Sequence, residues 1–381
     1  MRSFAVMTFT FPPDHVGITA IPEDRAEWQL AEVESPHLVD PVPVIAAKHI
    51  PYIHDANRLQ NLSIYVPMTE ETAGLVGAPV ERLPGAGSAS LLPRYYVHIH
   101  GGAWRDPGLT AASVEPAVAH AFSAIGASAS ISAIASINYT VTQFDYPAPP
   151  LMARPPAHYG AIKDNHTDPA REAVHPQHVS DVLHGLALLS SLGLTDQSYI
   201  LSGHSCGACL AFQAILQPPR HYGLGYLPDA PGPAAMLGLD GLYDLPALVD
   251  GLGAAHERLR GDYETMLSRA FGADQRSWPA ASPAHFDPAG IAGRVRNGKA
   301  PRLVVLDQST EDQLVPMNQL ERFQAQLGKV SGLRVIQGRR CTGGHTAPWQ
   351  EGTMIWESLQ DIVKLLGANR GRRGLDRCGS Q

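Results

Sequence analysis

Ser198-Tyr199-Ile200-Leu201-Ser202-Gly203-His204-Ser205-Cys206-Gly207-Ala208-Cys209-Leu210 is the stretch on which the reading of this chain turns. A short apolar run stops at Gly203, and a helical pattern that includes Leu210, Phe212 and Ile215 starts after Gly207. Between them lies the chain's single G-x-S-x-G. In a strand-turn-helix of this kind the turn is strained and tight, so glycines flank the serine because side chains there would clash. The turn aims the Ser205 hydroxyl out of the sheet and leaves the amide of Cys206 at the start of the helix. The five-residue pattern by itself is weak, and its weight comes from the strand before it and the helix after it.

Working outward, similar apolar runs end at Gly, Asn or Asp. These are Tyr95 to Ile99, Ile131 to Ile137, Ala235 to Leu239, Arg302 to Leu306 and Leu333 to Ile336. Helical spacing falls between them, with Val179, Val182, Leu183, Leu186 and Leu189 after Pro176, and again at Met317 to Leu327 and Met354 to Leu366. Alternating strands and helices imply βαβ crossovers and a mostly parallel central sheet with helices on both faces. Such sheets carry their sites at the strand carboxyl ends. An alternating run, Leu62 to Val66, is stopped by Pro67 and reads as an edge-type strand.

The chemistry-bearing residues stand at those ends. His100-Gly101-Gly102-Ala103-Trp104 follows the strand ending at Ile99, and its glycines let backbone approach a substrate carbonyl. The amides of Gly102 and Ala103, with that of Cys206, would form a three-donor oxyanion hole. The order nucleophile, acid, histidine then selects the base. Of 17 histidines, His345 alone follows His285, in a loop after the last strand. Asp307, Glu311 and Asp312 all follow the strand ending at Leu306. Asp312 is favoured because its turn, closed by Leu314-Val315-Pro316, lets a carboxylate reach a histidine loop; Asp307 is the runner-up and Glu311 third. Together these features predict an α/β-hydrolase fold. His98, His100, His175, His178 and His184 lack the spacing of a metal set, so no metal and no cofactor are expected.

Composition narrows the alternatives. The 29 Lys+Arg against 36 Asp+Glu give a net charge of −7, with no basic stripe for nucleic acid. No apolar run approaches the ~18 residues of a membrane span. The 4 cysteines form no paired framework, and the N-terminus lacks a signal-peptide core. A cytoplasmic protein with no membrane and no nucleic-acid partner is expected, acting on a small molecule; a homodimer is compatible with the sequence. Residues 1–55 read as an irregular N-terminal extension packed on the core, 56–368 as a single domain and 369–381 as a flexible basic tail. Three insertions, 69–93, 142–176 and 217–233, are expected over the strand carboxyl ends; the last two read either as lids or substrate walls or as surface insertions without a role.

The blocks His100 to Trp104, Ile137-Asn138-Tyr139, His175 to His178, Gly203 to Ser205, Gly241-Leu242-Tyr243-Asp244-Leu245 and Asp312 to Pro316 together resemble the kynurenine formamidases, particularly the fungal form, in the HGGxW branch of the α/β-hydrolases. The resemblance runs in order from about Asn61 to Leu366. It implies hydrolysis of N-formyl-L-kynurenine to L-kynurenine and formate, in tryptophan breakdown toward NAD. It carries the family's triad onto Ser205, Asp312 and His345, and its oxyanion donors onto Gly102 and Ala103. A general short-chain carboxylesterase with the same triad is the alternative. Cys206 departs from the alanine more frequent in the family. From position alone, Trp104 and Tyr139 are expected to stack on the substrate's aromatic ring.

Overall fold

Hydrophobic runs that are buried on both faces demand a covered sheet, and the computed structural model of the protein contains one. It describes residues 26–87, 90, 92–123, 131–144 and 168–378. Nine strands form the sheet: β1 (Gln29–Val33), β2 (Val42–Pro51), β3 (Asn61–Pro67), β4 (Tyr95–Ile99), β5 (Ala133–Ile137), β6 (Tyr199–His204), β7 (Ala235–Leu239), β8 (Leu303–Asp307) and β9 (Arg334–Gln337). Their spatial order is β1-β2-β3-β5-β4-β6-β7-β8-β9. Strands β4 to β9 pair in parallel, while β1, β2 and β3 join antiparallel to their neighbours.

The longer helices are α1 (Glu115–Phe122), α2 (Gln177–Ser191), α3 (Cys206–Leu216), α4 (Arg260–Phe271), α5 (Pro288–Arg296), α6 (Asn318–Leu327) and α7 (Thr353–Cys378). Alternation along the strands splits the core in two. Val97, Ile99 and Leu201 pack with Val182, Leu210 and Phe323 of α2, α3 and α6 on one face. Tyr96, Ile200 and Leu237 pack with Val118, Ile355 and Leu359 of α1 and α7 on the other. No helix among the described residues is long and apolar enough to cross a membrane.

Four expectations are corrected. Residues 29–51, within the expected irregular extension, form β1 and β2; the prolines hid the strand because Pro43 sits exposed, opposite Glu32, and a bulge between Ala47 and Ile50 breaks the alternation. Residues 1–25 lie outside the described residues. Strand β3 is interior rather than an edge, since β2 covers one side of it and β5 the other. The boundary expected at 368 falls inside α7, which continues to Cys378. Insertions 69–93 and 217–233 lie at the strand amino ends: β3 runs against β5, so its exit is there, and residues 217–233 lead from a helix into β7. Only the connection 142–176 leaves from a carboxyl end, and 145–167 of it are outside the described residues. At the carboxyl ends the cavity is walled instead by α4 of the long β7–β8 connection.

Candidate active site

The elbow is built as its sequence requires. Ser205 adopts φ 55 and ψ −125, a left-handed conformation that costs a non-glycine residue on the order of 1–3 kcal/mol. It persists because the Ser205 amide donates to Leu239 O at 2.9 Å, tying the turn to β7. A Cβ on Gly203 would lie 2.2 Å from Gly207 O, and one on Gly207 would lie 2.2 Å from Ile99 O. The two glycines therefore allow β6, α3 and β4 to approach, which brings Ser205 beside the turn at Gly101 to Trp104. That turn is itself wound left-handed, with φ 106 at Gly102, 53 at Ala103 and 56 at Trp104.

The histidine loop after β9 is stapled to the loop after β8 residue by residue. His345 Nδ1–H donates to Asp312 Oδ2 at 2.8 Å. The other Asp312 oxygen accepts from the amides of Leu314 and Val315, each at 2.8 Å, which fixes the carboxylate plane. Asp307 meets no imidazole; it accepts from the amides of Arg340 at 2.8 Å and Cys341 at 3.3 Å. Glu311 accepts from the Gly343 amide at 2.9 Å, and Gln313 from the His345 amide at 3.1 Å. All three acid candidates hold the loop, but Asp312 alone reaches the ring. Burial depresses the His345 pKa, yet the hydrogen bond and charge of Asp312 outweigh it, so the net shift is upward from 6.5.

Behind His345 lies a pair that the sequence reading did not single out. His204 Nε2–H donates to the His345 carbonyl at 2.8 Å, and burial holds its pKa far below 6.5. Asp240, fully buried at φ 45, accepts from the Ser309 amide, and burial raises it to about 7. The ligand atoms of His204, Asp240 and His345 lie within 4.8 Å of one another. His204 and His345 each commit one ring nitrogen to the hydrogen bonds above, which tie the histidine loop to the elbow and to the Asp312 loop. The signals for both residues were available: His204 is the first x of G-x-S-x-G, and Asp240 directly follows β7 just as Asp307 closes β8.

Ser205, His345, Gly102 and Ala103 share one cavity, walled by Leu109, Leu242, Met266, Leu314 and Val315 with the rings of Tyr263 and Trp349. Trp104 and Tyr139 do not line it, contrary to expectation. Trp104 is fully buried and meets Phe271 edge-on at 4.9 Å between centroids. Tyr139 stacks on His100 at 4.5 Å, and its hydroxyl donates to Gly101 O at 2.8 Å. Both sit beneath the Gly101–Trp104 turn, packed against Phe271 and His100 respectively. Cys206 contributes its side chain to the same scaffold: its sulfur accepts from the Trp104 amide at 3.3 Å, and burial pushes the thiol up to about 11. The aromatic walls come from segments that the sequence reading left unassigned. Tyr263, Met266, Leu267 and Ala270 of α4 had the i, i+3, i+4, i+7 pattern that could have revealed them.

Relatives point the same way. No protein-family model matches the chain. It is 29% identical over 323 residues to the kynurenine formamidase-like hydrolase fscH of Fusarium equiseti, covering 83% of this chain and 94% of that one. It is 29% identical over 276 residues to the kynurenine formamidase avaC of Aspergillus versicolor, covering 68% and 85%. Among solved structures, an inhibited esterase B from Lactobacillus rhamnosis superposes with TM-score 0.54 at 15% identity, covering 88% of this chain and 92% of that one. A truncated carbohydrate esterase from gut microbiota gives 0.51 at 16%, covering 85% and 96%. The chain thus has the α/β-hydrolase fold and is similar in sequence, over most of its length, to fungal kynurenine formamidases.

Proposed function

We propose that this chain is a serine hydrolase that cleaves the formyl amide of N-formyl-L-kynurenine to L-kynurenine and formate, a step of tryptophan breakdown toward NAD. The observation that carries the reading is the Asp312–His345 hydrogen bond of 2.8 Å beside Ser205 in one apolar cavity. The names of the two relatives at 29% identity support the formyl amide as substrate.

In this mechanism Ser205 Oγ attacks the formyl carbon while its proton passes to His345 Nε2, and Asp312 stabilises the imidazolium that results. The formyl oxygen gathers negative charge within reach of the Gly102, Ala103 and Cys206 amides. The carbon–nitrogen bond then breaks as His345 returns the proton to the departing aromatic amine, leaving a formyl ester on Ser205. Water, deprotonated by the same imidazole, hydrolyses that ester and releases formate. No step calls for a cofactor. The formyl group is the smallest acyl group, so left-handed backbone packed close above Ser205 favours it over bulkier acyls.

The test is kcat/KM for N-formyl-L-kynurenine beside p-nitrophenyl acetate, with Ser205→Ala as control. Preference for the formyl amide that vanishes in the variant supports the proposal. Ester cleavage without kynurenine release would move the chain to the general carboxylesterases.

A further inference from the structure

The Gly101–Trp104 turn holds two consecutive non-glycine residues, Ala103 at φ 53 and Trp104 at φ 56, in the left-handed region, which persists only where neighbours fix it. Backbone bonds supply part of the hold. Gly102 O accepts the amides of Arg105 and Asp106 at 2.9 Å each, and Trp104 O accepts the Thr142 amide at 2.6 Å. A side chain on another element supplies more. Cys206, the first residue of α3, accepts the Trp104 amide on its sulfur at 3.3 Å. The same sulfur lies 3.4 Å from the Tyr139 hydroxyl oxygen. That hydroxyl has one hydrogen, which the carbonyls of Gly101 at 2.8 Å and His100 at 3.1 Å claim, so across the 3.4 Å contact the thiol is the donor. Burial keeps the proton on sulfur, pushing the Cys206 thiol up to about 11, although Tyr139 and the amides of Trp104, Ala103 and Cys206 itself pull the other way. Three hydrogen bonds therefore lead from Trp104 N–H through Cys206 S–H and Tyr139 O–H to Gly101 O, closing the turn at both of its ends.

We propose that the Cys206 side chain is a positioning residue for the oxyanion: with the Tyr139 hydroxyl it sets the spacing between the amides of Gly102 and Ala103 and the amide of Cys206. This rests on, and deepens, the serine-hydrolase reading of Ser205. An oxyanion hole assembled from two segments works only while they keep register, because its donors must stand about 2.7–3.1 Å from where the charge develops. Two of the amides belong to the loop after β4, and the third is carried by α3. Cys206 ties the two segments at the residue that supplies the third amide. Its backbone donates to the oxyanion, and its sulfur holds the loop that bears the other donors. The thiol itself is no nucleophile, since it is protonated and fully buried. Cys209, one turn further along α3 and equally buried, faces Ala281 O at 3.9 Å instead and serves as an internal control.

The test measures kcat and KM on p-nitrophenyl acetate and N-formyl-L-kynurenine, the Ki of trifluoroacetophenone, and the melting temperature. The chains compared are wild type, Cys206→Ala, Cys206→Ser, Tyr139→Phe, the double variant Cys206→Ala/Tyr139→Phe, and Cys209→Ala. Trifluoroacetophenone reports on the hole directly: Ser205 Oγ adds to its carbonyl carbon, the serine proton passes to His345, and the carbonyl oxygen becomes the oxyanion. Cys206→Ala should lower kcat about tenfold, less than the roughly 10²-fold that loss of a whole donor costs, and raise the ketone's Ki by a similar factor with KM nearly unchanged. Cys206→Ser keeps an acceptor and a donor and should recover most of that loss. Tyr139→Phe, which keeps the ring on His100, should lose about as much as Cys206→Ala. The double variant should lose no more than the worse single, since both changes break one relay. Cys209→Ala should leave kcat and Ki unchanged even where it lowers the melting temperature. An unchanged kcat in Cys206→Ala, a rise in KM alone, equal losses in Cys206→Ala and Cys209→Ala, Cys206→Ser no better than Cys206→Ala, or losses that multiply in the double variant would each overturn the relay while the hydrolase reading stands. If the wild type cleaves neither substrate and does not bind the ketone, the hydrolase reading falls, and the relay with it.

Discussion

Asp312→Asn isolates the contribution of the acid because the structure dictates how asparagine must sit. One Asp312 oxygen accepts two amides, Leu314 N and Val315 N, at 2.8 Å each. An asparagine NH2 cannot replace it, since donor would face donor twice. The side-chain carbonyl therefore stays on the amides, and the NH2 turns toward His345. There it meets Nδ1 at the position now spanned by a 2.8 Å hydrogen bond, and it can be satisfied only if Nδ1 becomes the acceptor. The imidazole is then driven into the tautomer with its proton on Nε2, the nitrogen that must accept from Ser205. A wrong-tautomer substitution of this kind costs about 10⁴-fold in kcat, or ~5 kcal/mol of barrier. Stability should change little, because three hydrogen bonds become three hydrogen bonds and the side-chain volume is kept.

The assay is kcat on p-nitrophenyl acetate and N-formyl-L-kynurenine alongside the melting temperature. The matched control is Asp307→Asn, in which the two backbone donors at 2.8 and 3.3 Å contact different carboxylate oxygens. There the new NH2 must face one N–H. The control should lose about 1–3 kcal/mol of stability and retain its rate below its melting transition. A loss under tenfold in Asp312→Asn with an unchanged melting temperature, or equal losses in both variants, would refute the assignment of roles.

Further outcomes follow from the same geometry. With His345 as base, kcat/KM should rise with pH through the His345 pKa, and the midpoint should lie above 6.5 because Asp312 raises it; a midpoint at or below 6.5 would contradict this. Asp240 also raises His345, so Asp240→Asn should move that acid limb to lower pH. Burial lifts Asp240 from 3.8 to about 7, so the wild type keeps this group's full stability only below 3.8 and loses it as pH climbs toward 7. Thermal melts should accordingly show Asp240→Asn gaining on the wild type across that interval. Gly207→Ala puts a Cβ 2.2 Å from Ile99 O and 2.3 Å from His100 O, so β4 must give way; on the order of 10²-fold loss of kcat is expected, together with a lowered melting temperature. Trp104→Ala should cost about 3–5 kcal/mol of stability and leave the ratio of aryl to aliphatic KM unchanged, while Trp349→Ala should raise KM for aryl substrates selectively.

Much of the frame was legible because it rests on local rules. Six apolar runs became β4 to β9 within a few residues, and Pro176 marked the start of α2, since strand length and helix entry are written in neighbouring side chains. The pairing of Asp312 with His345 was legible too, although they are 33 residues apart, because chain order and a turn left few candidates. What stayed hidden depends on packing across the chain. Nothing near Trp104 says that Phe271 will lie edge-on against it and keep it out of the cavity, and nothing near Pro43 says that Glu32 will stand opposite it.

Nucleophile elbows and substrate walls differ in kind for the same physical cause. A nucleophile elbow must satisfy constraints within five residues, so Gly203 and Gly207 announce it. A substrate wall satisfies constraints between segments, here α4 against the loops after β4, β8 and β9, and any surface helix with an apolar stripe meets the local requirement. Tyr263 becomes part of a site only because its hydroxyl donates to Leu314 O, two residues after Asp312. That bond ties α4 to the Asp312 loop beside the cavity that Ser205 and Tyr263 both line. Under the proposed function, substrate choice is decided where the β7–β8 connection docks on the Asp312 loop. Substitutions that loosen that docking should blur selectivity among formyl arylamides before they slow the cleavage of a small ester.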